Sequence, residues 1–205
     1  MADAAARQLI DVVVHADVDD DTLDAAASAT DALVGDLRRA AAPGDPSWWT
    51  GGPRQHGDYL PRSPVVGTLH PVAPPFAWEA RDGRFVGRAV LGAAFEGPPG
   101  YVHGGWVALF FDEALGAANV ASANPGMTAR LRVRYRHPTP LHTELRLEAW
   151  TTGRTGRRNT TVGTLHAGER LCAEAEGLFV DIGVDRALEY FGDRPATADP
   201  VDPLP

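Results

Sequence analysis

A loop rich in glycine and proline, Gly97-Pro98-Pro99-Gly100-Tyr101-Val102-His103-Gly104-Gly105, runs straight into Trp106-Val107-Ala108-Leu109-Phe110-Phe111-Asp112-Glu113-Ala114-Leu115-Gly116. Gly and Pro interrupt regular structure, so the first part predicts a loop. Over residues 106–121 only Gly116 interrupts a run of good helix formers, and charge is nearly absent. A helix that is apolar on almost every side belongs in a core. The rest of the chain must therefore enclose this helix, and the enclosure must accommodate one carboxylate, Asp112.

A buried ionised carboxylate is costly unless it is paired or hydrogen-bonded. On a helical wheel Asp112 shares a face with Gly105, Ala108, Gly116 and Asn119, so its neighbours are small or polar. Such neighbours admit a partner backbone or a ligand; the plainer alternative is a donor elsewhere in the core. The first amides of a helix have no intrahelical acceptor and carry the positive end of the dipole. Gly104 and Gly105 place no side chain over those amides, so this terminus can hold the oxygen of a polarised carbonyl. His103 stands beside it; capping and packing are its ordinary roles.

Around this centre the chain divides into an N-terminal extension with a linker (residues 1–70), a central domain (71–184) and an acidic, proline-containing tail (185–205). The extension reads as helical: Asp19-Asp20-Asp21 offers caps, and Leu23, Ala27, Leu33, Val34 and Leu37 recur near helical spacing. Arg38-Arg39 fall in the last turn, and Pro43-Gly44 end it. An earlier segment, residues 7–14, fits helix or strand. Packing or oligomer contact suits the extension better than catalysis. The linker holds Trp48-Trp49, which suit anchoring by burial better than lining an acyl tunnel.

From Phe76 the pattern changes to strands. Residues 76–80 and 84–94 flank Asp82-Gly83, a hairpin signal. After the helix, Met127, Ala129, Leu131, Val133 and Tyr135 alternate with Thr128, Arg130, Arg132, Arg134 and Arg136, a strand with one apolar and one basic face. Leu145, Leu147 and Ala149 alternate in another strand, and two more are expected around residues 159–165 and 171–182 with Ala167-Gly168 as their turn. The predicted class is α+β, a long helix wrapped by an antiparallel sheet. Net charge is −8, from 19 basic and 27 acidic residues, which argues against a nucleic-acid partner. A single cysteine, Cys172, excludes an intrachain disulfide and a cysteine-based metal cluster, and a reducing cytoplasm fits. No apolar run has the length of a membrane span, so membrane insertion is not expected, nor does the start read as a signal peptide.

The loop sequence, with Asp112 nine positions after His103, resembles the hotdog-fold acyl-CoA thioesterases, in particular the phenylacetate-type and carboxyl-terminal-modulator-type branches. The similarity continues through Gly126-Met127-Thr128-Ala129-Arg130-Leu131, Tyr135-Arg136-His137-Pro138-Thr139-Pro140-Leu141 and Ala173-Glu174-Ala175-Glu176-Gly177-Leu178-Phe179-Val180, roughly the second half of the chain. The resemblance implies a hotdog fold with an N-terminal extension, an acyl-CoA substrate, no cofactor and no metal. It implies that Gly104, with His103, polarises the thioester carbonyl and that Asp112 serves as general base or as a nucleophile. Thr128 matches a position where related enzymes carry a Ser or Thr that helps place the water or the carboxylate. Strict alternation puts Thr128 on the arginine side of its strand, so that role requires a bulge or twist there. One branch carries an Asn six residues before the histidine; here that position is Gly97, leaving a second oxyanion donor unassigned.

The spacing then bears on assembly. From Gly104 to Asp112 is about 12 Å along a helix axis. A carboxylate that far away does not reach a carbonyl held at its own helix start, so the site is expected to be shared across a two-fold axis. A homodimer, or a pair of dimers, is the expected unit, as the resemblance also implies. For the substrate, Gly105 and Tyr101 line the approach, while Trp106, a further substrate-binding candidate, suits an apolar pocket with Phe110 and Phe111 or else packing in the core or at a dimer contact. The basic turn Gly153-Arg154-Thr155-Gly156-Arg157-Arg158 suits the phosphates of coenzyme A, with Arg154, Arg157 and Arg158 as candidates, and equally suits a solvated hairpin tip. Arg132, Arg134 and Arg136 suit a solvated strand face, some of it paired with Glu144, Glu148 or neighbours. A non-catalytic acyl-CoA binder on the same fold is the alternative, and a hotdog dehydratase ranks below both.

Overall fold

A computed structural model of the chain describes residues 2–15, 17–40, 63–67, 70–183 and 185–186. The linker tryptophans Trp48-Trp49 and the tail beyond Arg186 lie outside the described residues. At the centre is helix α3, Gly104–Ala121. His103, extended at φ −60° and ψ 134°, stops the loop and caps the helix. Val107, Phe110, Phe111, Ala114, Leu115 and Ala118 recur every three or four residues and are buried on the side facing the sheet. Phe110, Phe111 and Leu115 are fully inaccessible, and each such side chain contributes about 1.5–3 kcal/mol by leaving water.

Six antiparallel strands enclose that face: β1 (Ala77–Arg81), β2 (Arg84–Val90), β3 (Met127–Tyr135), β4 (Glu144–Thr155), β5 (Arg158–Ala167) and β6 (Arg170–Val180). Their order is β1-β2-β4-β5-β6-β3, so β1 and β3 are the edges. Asp82 and Gly83 both have positive φ, 51° and 72°, as a two-residue hairpin turn of right-handed strands requires. Leu145, Leu147 and Ala149 on β4, and Asn159, Thr161, Gly163 and Leu165 on β5, are buried at every second position. At Gly163 a Cβ would lie 2.7 Å from the Glu148 carbonyl oxygen and 3.3 Å from both Leu115 and Phe111, so the missing side chain lets α3 settle on the sheet.

Several expectations are corrected. The second strand ends at Val90 instead of running to residue 94; Ala93–Phe95 form a 3-10 turn that delivers the chain to the loop. Of the two readings left open for residues 7–14, the structure takes the helix, α1 (Ala2–His15). Helix α2 (Asp20–Ala40) begins as expected, with the Thr22 amide donating to Asp19 Oδ1 at 2.7 Å, but it buries no residue. The central helix is not enclosed all round. Gly105, Ala108, Leu109, Asp112, Glu113, Gly116 and Val120 form a stripe that the sheet covers only in part, so Asp112 is half-buried where the apolar composition had suggested full burial. Asn119 leaves that stripe: it is fully buried, with its side-chain amide donating to the Leu115 carbonyl. The strand arginines pair with β6 instead of β4, Arg130 with Glu176 at 3.6 Å and Arg134 and Arg136 with Glu174. Glu144 and Glu148 pair with Arg88 and Arg84. The reason is register: β3 lies beside β6, far across the sheet from β4.

Candidate active site

The loop before α3 is a tight, internally bonded turn. Gly97 N–H donates to the Tyr101 carbonyl at 2.9 Å, Tyr101 N–H to the Pro98 carbonyl at 2.9 Å, and Gly100 N–H to Glu96 Oε1 at 2.6 Å. Gly100, with φ of 81°, takes the left-handed conformation that glycine tolerates. His103 N–H donates to the Phe95 carbonyl, which fixes where the helix starts. Gly97 is pressed against His103: a Cβ there would lie 2.7 Å from His103 Cα. The Asn of the other branch has no room at this position, because the backbone of His103 fills it.

At the helix start the amides have different fates. Gly105 N–H donates to His103 Nδ1 at 3.0 Å, and Trp106 and Val107 N–H both reach the His103 carbonyl, at 3.0 and 3.3 Å. Gly104 N–H is left without an acceptor among the described residues, with the helix dipole behind it. The expectation of two open glycine amides therefore reduces to one, because the imidazole occupies the other. The steric explanation of Gly104 also fails within one chain: a Cβ there would make only ordinary contacts, 3.6 Å from the Tyr135 ring and hydroxyl.

Asp112 lies two turns further along the same helix. Its Oδ1 accepts a hydrogen bond from Thr128 Oγ1 at 2.9 Å. This contact exists because β3 is bulged. Thr128 pairs with Phe179 and Arg130 with Leu178, leaving Ala129 as the extra residue. The bulge turns Thr128 from the arginine side to the helix side of the sheet. Tyr135, at the other end of β3, also faces the helix, and its hydroxyl donates to the Gly104 carbonyl at 2.8 Å. Sequence reasoning missed Tyr135, because a tyrosine on the apolar face of an alternating strand reads as packing.

The remaining expected residues divide. Tyr101 is 40% exposed on the loop. Trp106 is partly buried against Phe95, ring centroids 5.1 Å apart, while Phe110 and Phe111 are core and line no opening. In the basic turn, Arg154 is engaged with Asn124, Asp181 and the Gly156 carbonyl, and Arg157 Nε donates to the Asp181 carbonyl. Arg158 is exposed and without a polar partner among the described residues. The turn sits at the Asp112 end of the sheet: Arg158 pairs with Val180, which pairs with Met127, next to Thr128. Among the described residues no cluster of His, Cys, Asp and Glu has the arrangement of a metal site. Among the described residues no helix is long and apolar enough to cross a membrane. Cys172 is buried, and that burial pushes its thiol above the ordinary range, as befits a packing residue.

Comparison with known proteins agrees with this architecture. The family model of the thioesterase superfamily matches residues 99–174, the stretch from the loop through α3 to β6. The acyl-coenzyme A thioesterase THEM4 of Xenopus laevis is 34% identical over 93 residues, which are 44% of this chain and 42% of that protein. The matched part thus spans less than half the length of that relative. The crystal structure of a thioesterase superfamily protein superposes with a TM-score of 0.77 at 35% identity, covering 87% of this chain and 93% of the other. Residues 71–205 are about two thirds of the sequence, so that match takes in part of the N-terminal extension as well as the sheet. A six-stranded antiparallel sheet wrapped on one helix, with the residues of the loop and strands that first suggested the kinship, makes this chain a hotdog-fold member of the thioesterase superfamily.

Proposed function

We propose that the protein hydrolyses acyl-CoA thioesters to a free acid and coenzyme A, at a site built by two copies of the chain. The observation that carries this reading is that the two halves of the site are bonded to opposite ends of one edge strand. Thr128, at the start of β3, holds Asp112; Tyr135, at its end, holds Gly104. An antiparallel two-fold pairing of β3 with its copy, centred on Arg132 and with the bulged Thr128-Ala129 counted as one position, sets Thr128 of one chain opposite Tyr135 of the other. The local two-fold of an antiparallel pair is perpendicular to the sheet, so both side chains remain on the helix side. The bulge at Ala129 makes this possible, since residues seven apart on a regular strand point to opposite faces. The exposed flanks of β3, with Met127 at 48% and Tyr135 at 56%, supply the edge.

In the composite site the Gly104 amide of one chain receives the thioester oxygen. Asp112 of the other either draws the proton from a water attacking the carbonyl carbon, or attacks that carbon itself to form an anhydride that a water then hydrolyses to the free acid and the regenerated carboxylate. Either attack breaks the carbon–sulfur bond, and the CoA thiolate takes a proton as it leaves. Thr128 occupies Oδ1 of Asp112 and leaves Oδ2 to face the reaction. Arg158, with the free guanidinium nitrogens of Arg157, suits the CoA phosphates, while Arg154 is tied into the hairpin. The homodimer is the working unit, and a single free cysteine suits a reducing cytoplasm.

The test is thiol release from a panel of acyl-CoA substrates by wild-type protein and by Asp112→Asn. A positioned base contributes roughly a hundred- to ten-thousand-fold, so the variant should lose activity by that factor while keeping its fold and its CoA affinity. Binding of acyl-CoA with no turnover by the wild type would replace hydrolysis with a binding role.

A further inference from the structure

The peptide linking Gly104 to Gly105 is held from both sides. Its carbonyl oxygen accepts from the Tyr135 hydroxyl at 2.8 Å, and its N–H donates to His103 Nδ1 at 3.0 Å. The Tyr135 ring also lies 3.6 Å from where a Gly104 side chain would begin. Two successive glycines have the widest backbone freedom of any pair, so a helix that starts with them needs an outside constraint to aim its first amide. Aim matters here, because a donor must be held within about 0.5 Å and 10–20° of its productive direction. The bonds form a chain from the tyrosine hydroxyl through one peptide group to the imidazole. Each member polarises the next. Because Nδ1 accepts, the neutral ring carries its proton on Nε2 and presents that N–H outward.

We infer that Tyr135 is a positioning residue for the oxyanion-binding end of the site: it locks the Gly104–Gly105 peptide, and through it the His103 tautomer, so that the free Gly104 amide is fixed before substrate arrives. The inference rests on the thioesterase reading above for its kinetic consequence, but not for its structural content. It also gives β3 two hydroxyls with parallel duties. Thr128 orients the carboxylate at one end, and Tyr135 orients the amide at the other. The edge strand thereby sets both halves of the site, and the register of its pairing sets their separation.

Tyr135→Phe removes one hydroxyl and leaves the ring, so packing is preserved. In the homodimer, kcat on acyl-CoA should fall ten- to a hundred-fold with KM within about twofold, the signature of lost alignment and not of lost binding. Combined with His103→Ala, the losses should be strongly less than multiplicative, because both act on one peptide. By amide NMR the Gly104 and Gly105 resonances should shift in Tyr135→Phe, the Gly105 amide should exchange faster, and the His103 ring nitrogens should lose their fixed Nε2–H pattern. An unchanged kcat, fully multiplicative losses or unmoved Gly105 and His103 signals would overturn the inference. If wild-type protein turns over no acyl-CoA, the functional reading fails, whereas the NMR measurements still decide whether the lock exists.

Discussion

Two inactive variants should restore each other when mixed. Gly104 is the first helical residue, where proline is well suited, and the preceding His103 has the extended ψ of 134° that a following proline demands. A Cβ at Gly104 meets nothing closer than 3.6 Å. Gly104→Pro therefore deletes the amide at the helix start that has no acceptor among the described residues, and leaves the helix in place. Loss of a single oxyanion donor costs about 3–4 kcal/mol, or roughly a hundred- to a thousand-fold in rate. Asp112→Asn removes roughly a hundred- to ten-thousand-fold. Each homodimer should thus retain about 1% of activity or less. In a heterodimer of the two, one site has both lesions and the other has neither. Random association makes half the dimers mixed, so co-expressed chains should recover about a quarter of wild-type thiol release, and heterodimers isolated with two different tags about half. The contrary outcome is activity no greater than the average of the two parents. It would mean that each site lies within one chain, against the separation of about 12 Å along α3.

Further outcomes follow from individual contacts. Thr128→Val removes the hydroxyl that bonds Asp112 and keeps the branched shape; a charge-assisted bond at a half-exposed position is worth about 1–2 kcal/mol, so kcat/KM should fall roughly ten-fold, measured by thiol release. Gly97→Ala drives a Cβ to 2.7 Å from His103 Cα, and the loop must shift; about 1–3 kcal/mol of stability should be lost, seen as a lower denaturation midpoint. Hydrogen bonds from the Thr22 side chain and amide lower the Asp19 pKa below the ordinary carboxylate value. The cap on α2 is therefore intact above the ordinary range and lost as pH falls through the lowered value, and helix content followed by circular dichroism should drop there in wild type but not in Asp19→Ala.

The elements that were legible in the sequence are those whose signal is local. Asp82-Gly83 can hardly be anything but a hairpin turn, because two successive positive φ angles favour such residues. The alternation in residues 127–135 marks a strand whatever surrounds it, and the run after Gly105 marks a helix. Within the site, Asp112 stood out as a carboxylate in apolar company, and His103-Gly104-Gly105 as an uncrowded helix start. Tyr135 did not stand out, because nothing in its neighbourhood along the chain distinguishes a hydroxyl that bonds a backbone carbonyl 31 residues away from one that only packs. The arginines of β3 were assigned to the wrong glutamates for a related reason: which strand lies alongside is a question of topology.

By itself, the sequence determined a helix-centred α+β domain, the loop that feeds it, and the kinship that those residues carry. Periodicity, turn chemistry and capping act over a few residues, and composition records them directly. Only the tertiary structure decided that Asp112 lies on a half-open stripe, that His103 claims the Gly105 amide and leaves Gly104 open, and that one extra residue at Ala129 turns Thr128 toward the carboxylate. Those outcomes depend on which strand ends up at the sheet edge and on displacements of a few ångströms between segments distant in the chain. Such displacements are set by packing of the whole core.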